Sequence, residues 1–485
     1  MKKLEADVIV AAAGPAGLSA AVSAGERGLK VLVFEKSNVA GGAANMGMGP
    51  LGIDTRIQRS MFNELSVEEA LSKHMEYTHY RVDAELVSAY YHLSANTIEW
   101  LQDMGVEFAG AFRYSTDSEA TWHIVKGENG QIGPRCAAAM TKALLARALE
   151  QDAEFYFETP VRDLIVEDGK VCGVIATDKT GEEIEARAKA VVVCTGGFGT
   201  NAEMVREEFG LELNKDIFTF MIPGITGDGL KMMWKAGAQK FGEAFETIYM
   251  STGQLQYQAL DMVFRQGDLM VNRSGKRIAN EADMGNSTFG GNVVSLQPGK
   301  VVYSIIDGAI GKRYQKRGPS HVSLVMPEIL VNTFEEEVER AQAEGYSEFF
   351  IAETIGELAE KIGIPADTLE ETIDTYNEYC ECGVDGQYGK SARFLNKITG
   401  KGKYMALAYR EGAYGTVGGV RINAKCEVLD NNFDPIPGLY SAGTDANTIY
   451  GDSYNFKLPG NSMGFAVNTG RMAGDAMADY IEDNF

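Results

Sequence analysis

Three features of this 485-residue chain predict an α/β protein carrying an α+β insertion. Residues 7–36 read as a strand, a glycine turn, a helix and a second strand. Glycine-rich segments return after residue 403. Between them, residues 246–402 mix charged helices with short apolar runs and never repeat the opening pattern. A chain of this length is too long for one compact core and suits two domains, one of them large.

The opening unit is the most informative. Val8-Ile9-Val10 is apolar on both faces, as a strand in a helix-covered parallel sheet must be. The turn Ala12-Ala13-Gly14-Pro15-Ala16-Gly17 needs residues without bulk: Gly14 lets backbone approach a pyrophosphate, and Gly17 lets helix pack on strand. The helix that follows, to about Arg27, aims its free N–H groups at the phosphates, and Gly28 closes it. Glu35 lies about 20 residues beyond Gly14, where a carboxylate bonds an unphosphorylated ribose, as in FAD or NAD. Ala12 replaces the first glycine of the fingerprint. The next segment, Gly41-Gly42-Ala43-Ala44-Asn45-Met46-Gly47-Met48-Gly49, is a second glycine-rich loop that would wrap the pyrophosphate and ribityl chain of FAD.

Further along, Asp83 to Gly105 has the periodicity of an amphipathic helix with Asp83 as N-cap. Residues 154–197 read as short strands broken at Glu167-Asp168-Gly169 and Lys179-Thr180-Gly181-Glu182, ending in Val191-Val192-Val193-Cys194-Thr195-Gly196-Gly197. Thr226-Gly227-Asp228-Gly229 opens a helical stretch. Charged helices are expected over Thr333 to Glu344 and Ala366 to Glu381. Leu458-Pro459-Gly460-Asn461-Ser462 opens a last helix to about Ile481.

These motifs resemble, from end to end, the fumarate reductase and 3-ketosteroid dehydrogenase group of flavoproteins. The resemblance implies a Rossmann-like FAD-binding domain, residues 1–245 and 403–485, interrupted by a mobile capping domain, 246–402, with Val271–Glu281 as its landmark. It places FAD against Ala13, Gly14, Pro15, Ala16, Gly17, Glu35 and Lys36, and against Gly41, Gly42, Ala43, Asn45 and Met46. Val161 would meet adenine through its backbone, and Thr195, Gly196, Gly197 and Gly443 would touch the cofactor. Asp228 is either a residue near the flavin or a helix N-cap. Asn461, Ser462 and Met463, opening the last helix, would stabilise charge at the flavin pyrimidine edge. Members that tether FAD carry a histidine in the Gly41–Gly49 loop; none is present, so non-covalent FAD is expected.

The carry-over fails at the substrate. Fumarate reductases place an active-site arginine after the Asn-Glu landmark, where this chain has Gly285. Tyr414 stands for their carboxylate-binding histidine and Lys457 for a late arginine. A dicarboxylate would lose most of its charge-assisted hydrogen bonds. The ketosteroid enzymes carry a tyrosine shortly before a Pro-Gly, as Tyr454 stands before Pro459-Gly460. Tyr414, Tyr454 and Lys457 are therefore the candidate catalytic residues. They suit a neutral aromatic or polycyclic substrate undergoing activated-alkene reduction or reductive dehydroxylation. A ketosteroid-type dehydrogenase, a fumarate-type reductase and a non-catalytic FAD electron carrier are the alternatives.

Composition narrows the partners. Lys and Arg number 45 against 68 Asp and Glu, a net charge of −23 that repels nucleic acid and anionic membranes. Met1 to Asp7 runs directly into an apolar strand without a signal-peptide core, and no apolar run approaches a membrane span, so a cytoplasmic protein is expected. The cysteines, at 136, 172, 194, 380, 382 and 426, show no metal or haem spacing and read as reduced structural thiols. His74, His79, His92, His123 and His321 show no ligand spacing either and are expected at the surface or in cap packing; no metal is called for. With no iron–sulfur spacing and no second dinucleotide fingerprint, electrons are expected from a soluble donor such as NAD(P)H or from a second substrate.

Overall fold

A computed structural model describes every residue of the chain except Glu243. Its central sheet has six strands in the spatial order 427–429, 435–441, 190–193, 8–11, 31–34, 154–156. From 435–441 to 154–156 neighbouring strands are parallel, with Ile9 opposite Leu32 and Val191, and Val191 opposite Leu439. Every residue of Val8–Ala11, Val31–Phe34 and Ala190–Val193 is buried, as their unbroken apolar sequences require. Parallel neighbours end together, so the loops after Ala11, Phe34, Val193 and Ser441 leave one edge of the sheet, the edge at which such sheets bind ligands.

The first helix, Pro15–Glu26, packs lengthwise on the last, Asn461–Asn484. Glycine makes that approach possible: a Cβ on Gly470 would stand 2.1 Å from Ala16 O, and one on Gly474 would stand 2.6 Å from Ser23 Cβ. A four-stranded sheet, in the order Lys2–Glu5, Glu183–Arg187, Lys170–Thr177, Val161–Glu167, flanks this core. Its hairpin turns at Asp168 (φ 51°) and Gly169 (φ 78°), the two left-handed residues that a tight hairpin of matching twist needs.

Two hydrophobic clusters follow. One draws on residues 6–250 and 413–481, the other on residues 249–409. The 17-residue strand Tyr404–Val420 runs from the second into the first, pairing with Val301–Asp307 and Phe349–Ala352 at one end and Lys240–Met250 along the rest. Within the second cluster Arg277 bonds Glu281 and Asp385, each at 2.8 Å, and Lys390 reaches Glu281 at 3.1 Å, all four side chains at most 2% exposed. Two cations and two anions balance, which is the condition for burying charge. The Val271–Glu281 landmark thus supplies half of a buried ionic lock.

The histidine expectation needs correction. His74 and His123 are fully buried inside the first cluster's territory, and both have their ring nitrogens satisfied: His74 by Tyr91 Oη and Ile449 O, His123 by Thr55 Oγ1 and Thr121 O. Neither is a surface or cap residue. The six cysteines are free thiols. Among the described residues no helix is long and apolar enough to cross a membrane, and no group of three His, Cys, Asp or Glu is placed to hold a metal.

Candidate active site

Loops that are far apart in sequence converge at the sheet edge. Gly41 N donates to Ala13 O at 2.8 Å, and a Cβ on Gly42 would lie 3.3 Å from the Gly14 Cα. A Cβ on Gly443 (φ 70°) would lie 3.0 Å from Ala16 Cβ, and one on Gly47 would lie 2.4 Å from Met463 Cε. The Glu35 carboxylate closes the second strand, accepting from Ala13 N at 2.8 Å and Ser37 N at 2.7 Å. Lys36 Nζ donates to Thr226 Oγ1 and Asp228 Oδ2, both at 2.8 Å. Asn45 is held by Ala40 O and Thr141 Oγ1 in a short helical turn, Gly42–Met46, whose Gly42, Ala43 and Met46 face outward. Val161 begins its strand and is buried. Asp228 is the first residue of its helix, after Gly227 (φ 77°), and gives no cap bond, so the N-cap alternative is excluded in favour of the pair with Lys36.

The loops that meet at this edge suit the phosphates of a bound dinucleotide flavin. Several helices here are closed by a side chain, as by Ser66, Asp83 and Asn201. The first and last helices have glycine N-caps, Gly14 and Gly460, which give no side-chain bond to the first-turn amides, although in the last helix Ser462 N is met by the Tyr454 hydroxyl. Gly14 itself has nothing within 4 Å of where its Cβ would stand. Thr195, Gly196 and Gly197 are pinned from beneath by Asp445, which is fully buried and accepts from Thr195 N, Thr195 Oγ1 and Gly197 N. Burial pushes the Asp445 carboxyl up, while these donors pull it down.

Next to the last helix stands an aromatic wall. The Tyr454 hydroxyl accepts from Ser462 N at 3.3 Å, and its ring contacts Tyr450 (4.9 Å) and Phe456 (4.8 Å). Phe456 packs on Tyr114 at 4.4 Å and faces Tyr414 at 6.3 Å; Tyr414 stacks on Phe220. Burial drives the phenols of Tyr454, Tyr414 and Tyr114 above their ordinary value, so each is a neutral O–H group at pH 7. Lys457 lies apart from this wall: its ammonium bonds Asp117 O at 3.3 Å in an exposed contact. Glu246, beside Asn447 at 3.5 Å, is buried, and that burial pushes its carboxyl to about 7. The wall's cation is Arg265, bonded through Nε to both Asp261 oxygens at 2.9 Å and through Nη2 to Tyr249 O, with the rings of Tyr249 and Tyr409 against it.

Residues 7–463 match the family described as FAD binding domain. The vinyl phenol reductase of Lactiplantibacillus plantarum is 33% identical over 98% of this chain and 96% of its own length. The cytochrome fumarate reductase of Shewanella frigidimarina is 27% identical over 99% of this chain and 78% of its own. The crystal structure of 3-ketosteroid-Δ4-(5α)-dehydrogenase from Rhodococcus jostii, in complex with 4-androstene-3,17-dione, superposes with a TM-score of 0.77 at 24% identity, covering 99% of this chain and 98% of that one. That last likeness is one of fold.

Proposed function

The chain belongs to the FAD binding domain family and is an FAD-dependent oxidoreductase of C=C bonds; we propose that its substrate is a neutral phenolic alkene. A vinyl phenol is the smallest candidate, and a polycyclic phenol of the isoflavonoid class the largest; tetrahydrodaidzein would reach such an alkene by first losing its benzylic hydroxyl as water. The observation that carries this reading is the wall of Tyr114, Tyr414, Tyr454 and Phe456, beside which Arg265 is paired with Asp261. A second aromatic ring gains about 0.5–1.5 kcal/mol against such a wall beyond its buried area. A dicarboxylate would meet there a guanidinium whose charge Asp261 already balances.

Reduced FAD supplies a hydride to one alkene carbon when bound. The other carbon needs a proton, and the chain offers it from a phenol. Tyr454 and Tyr414 hold their protons at neutral pH because burial disfavours the phenolate, so they act as donors and not as bases. Tyr454 is the better placed, its oxygen fixed by Ser462 N at the opening of the last helix. The same helix start, with Asn461 and Met463, would steady negative charge at the pyrimidine edge. Lys457 takes no part in the proton step in this reading. FAD is held without a covalent bond, since Gly41–Gly49 offers no histidine; acid precipitation should leave the flavin in the supernatant. Electrons come from a soluble donor such as NAD(P)H.

Tyr454→Phe tests the assignment. Turnover of 4-vinylphenol with a reduced viologen should fall by roughly 10²-fold with FAD still bound. A wild-type enzyme that saturates only dicarboxylates would overturn the substrate class, and an undiminished Tyr454→Phe would overturn the donor.

A further inference from the structure

We propose that His321 recognises the hydroxyl group of the phenolic substrate, occupying the space that a side chain at position 285 would otherwise fill. The inference rests on the phenolic-alkene reading and adds a residue to it.

His321 lies in the second hydrophobic cluster's territory, after the helix Gly308–Arg317. Its backbone is clamped twice by one buried side chain: Gln266 Oε1 accepts from His321 N at 2.7 Å, and Gln266 Nε2 donates to His321 O at 3.1 Å. Phe394 stacks on the imidazole, with centroids 5.0 Å apart and planes 15° from parallel. The ring therefore has a fixed position and a fixed plane. Yet both ring nitrogens are buried and neither has a hydrogen-bond partner among the described residues. His74 and His123, by contrast, are satisfied at both nitrogens. A buried polar group that is held in place and left unpaired needs a reason, and a ligand is the simplest one.

The surroundings say which ligand. His321 lines a narrow cleft with Tyr114, Tyr249, Arg265, Gly285 and Ser287, joined to the aromatic wall through the Tyr114–Phe456 contact. A Cβ on Gly285 would stand 3.1 Å from His321 Cε1 and 3.2 Å from Nδ1, so the bare backbone at 285 is what admits the ring. Burial, and then the Arg393 charge, hold the imidazole below its ordinary value, which keeps it neutral at pH 7. A neutral imidazole offers one N–H donor and one lone pair. A phenol hydroxyl meets one of these two nitrogens, donating its proton to the lone pair. A carboxylate offers acceptors alone and a charge that Arg265, engaged by Asp261, does not meet.

The test titrates the oxidised holoenzyme with 4-ethylphenol and with 4-ethylanisole, whose ether oxygen accepts but cannot donate, reading the flavin absorbance difference. Wild type should bind the phenol about tenfold more tightly, the worth of one buried hydrogen bond. His321→Ala should bind the two alike, and His321→Gln, which keeps a donor and an acceptor, should restore part of the preference. A preference that survives in both variants, or that wild type lacks, overturns the assignment. Turnover separates this result from the wider reading. If 4-vinylphenol is reduced while His321→Ala keeps its preference, His321 is wrong and the reaction stands. If the preference disappears in His321→Ala but 4-vinylphenol is never reduced, the reaction is wrong and the hydroxyl site stands.

Discussion

Ala12 occupies a glycine's backbone without being one. It has φ 89°, and its carbonyl lies 1.9 Å from where a Cβ on Gly17 would stand, so strand, turn and helix keep the tight geometry despite the extra methyl. Non-glycine residues held in that region are strained by about 1–2 kcal/mol. Ala12→Gly should therefore raise stability by roughly 1 kcal/mol, after the larger unfolded-state entropy of glycine is set against the relief; a thermal melt of the holoenzyme that fell instead would show the strain to be absent. The sequence shows Ala12 as a departure from the fingerprint but cannot show that the chain adopts the glycine conformation regardless. The other glycines of this turn were readable because their work is local. Asp445, Tyr114, Arg265 and His321 were not, because each acts on partners far along the chain: Asp445 reaches Thr195 across 250 residues, and no periodicity or spacing encodes such a contact.

At the scale of elements, helices and parallel strands were legible from apolar runs and end signals. Asp83 caps its helix through Glu85 N and Leu86 N, and the last helix opens at Asn461 as its preceding Pro-Gly implies. What sequence could not supply is how elements lock to one another. The quartet of Arg277, Glu281, Asp385 and Lys390 ties the 271–281 segment to the loop after the helix Ala366–Cys382. Removing Glu281 leaves Arg277 paired with Asp385 but strands Lys390 without a carboxylate. Glu281→Leu should cost about 3–5 kcal/mol, seen as a lower denaturation midpoint; a loss within experimental error would mean that water reaches the quartet. The Tyr77 hydroxyl, which donates to Tyr454 O and accepts from Asn286 Nδ2, is a second such tie, joining the aromatic wall to the helix Ser287–Ser295.

For the whole molecule, three buried groups contribute to the pH dependence of folding with shifts that can be set against one another. His74 and His123 are each held down to about 4 by burial, so the unfolded chain binds more protons than the native one from about pH 6.5 down toward 4, and stability falls as pH falls. Glu246 opposes them. Its folded carboxyl is raised to about 7, so the native state holds a proton that the unfolded state has released above about 4.5, and stability falls as pH rises through that window. Between pH 5 and 6 two histidines outweigh one glutamate by one proton, a slope of about 1.4 kcal/mol per pH unit from these groups. Glu246→Gln removes the opposing term and should add about 1.4 kcal/mol per unit to the wild-type slope; equal slopes in urea unfolding at the two pH values would show that Glu246 titrates normally.

On the proposed function, a flavoprotein frame otherwise like that of fumarate reductase serves a neutral phenol. The most direct measurement is anaerobic: reduce the bound FAD with dithionite, remove the excess, and follow flavin reoxidation on adding 4-vinylphenol or fumarate in separate experiments. Reoxidation by 4-vinylphenol, with saturated 4-ethylphenol as product and no response to fumarate, is the result expected from Gly285, the Tyr114–Phe456–Tyr454 wall and the committed Arg265. Reoxidation by fumarate alone would contradict it.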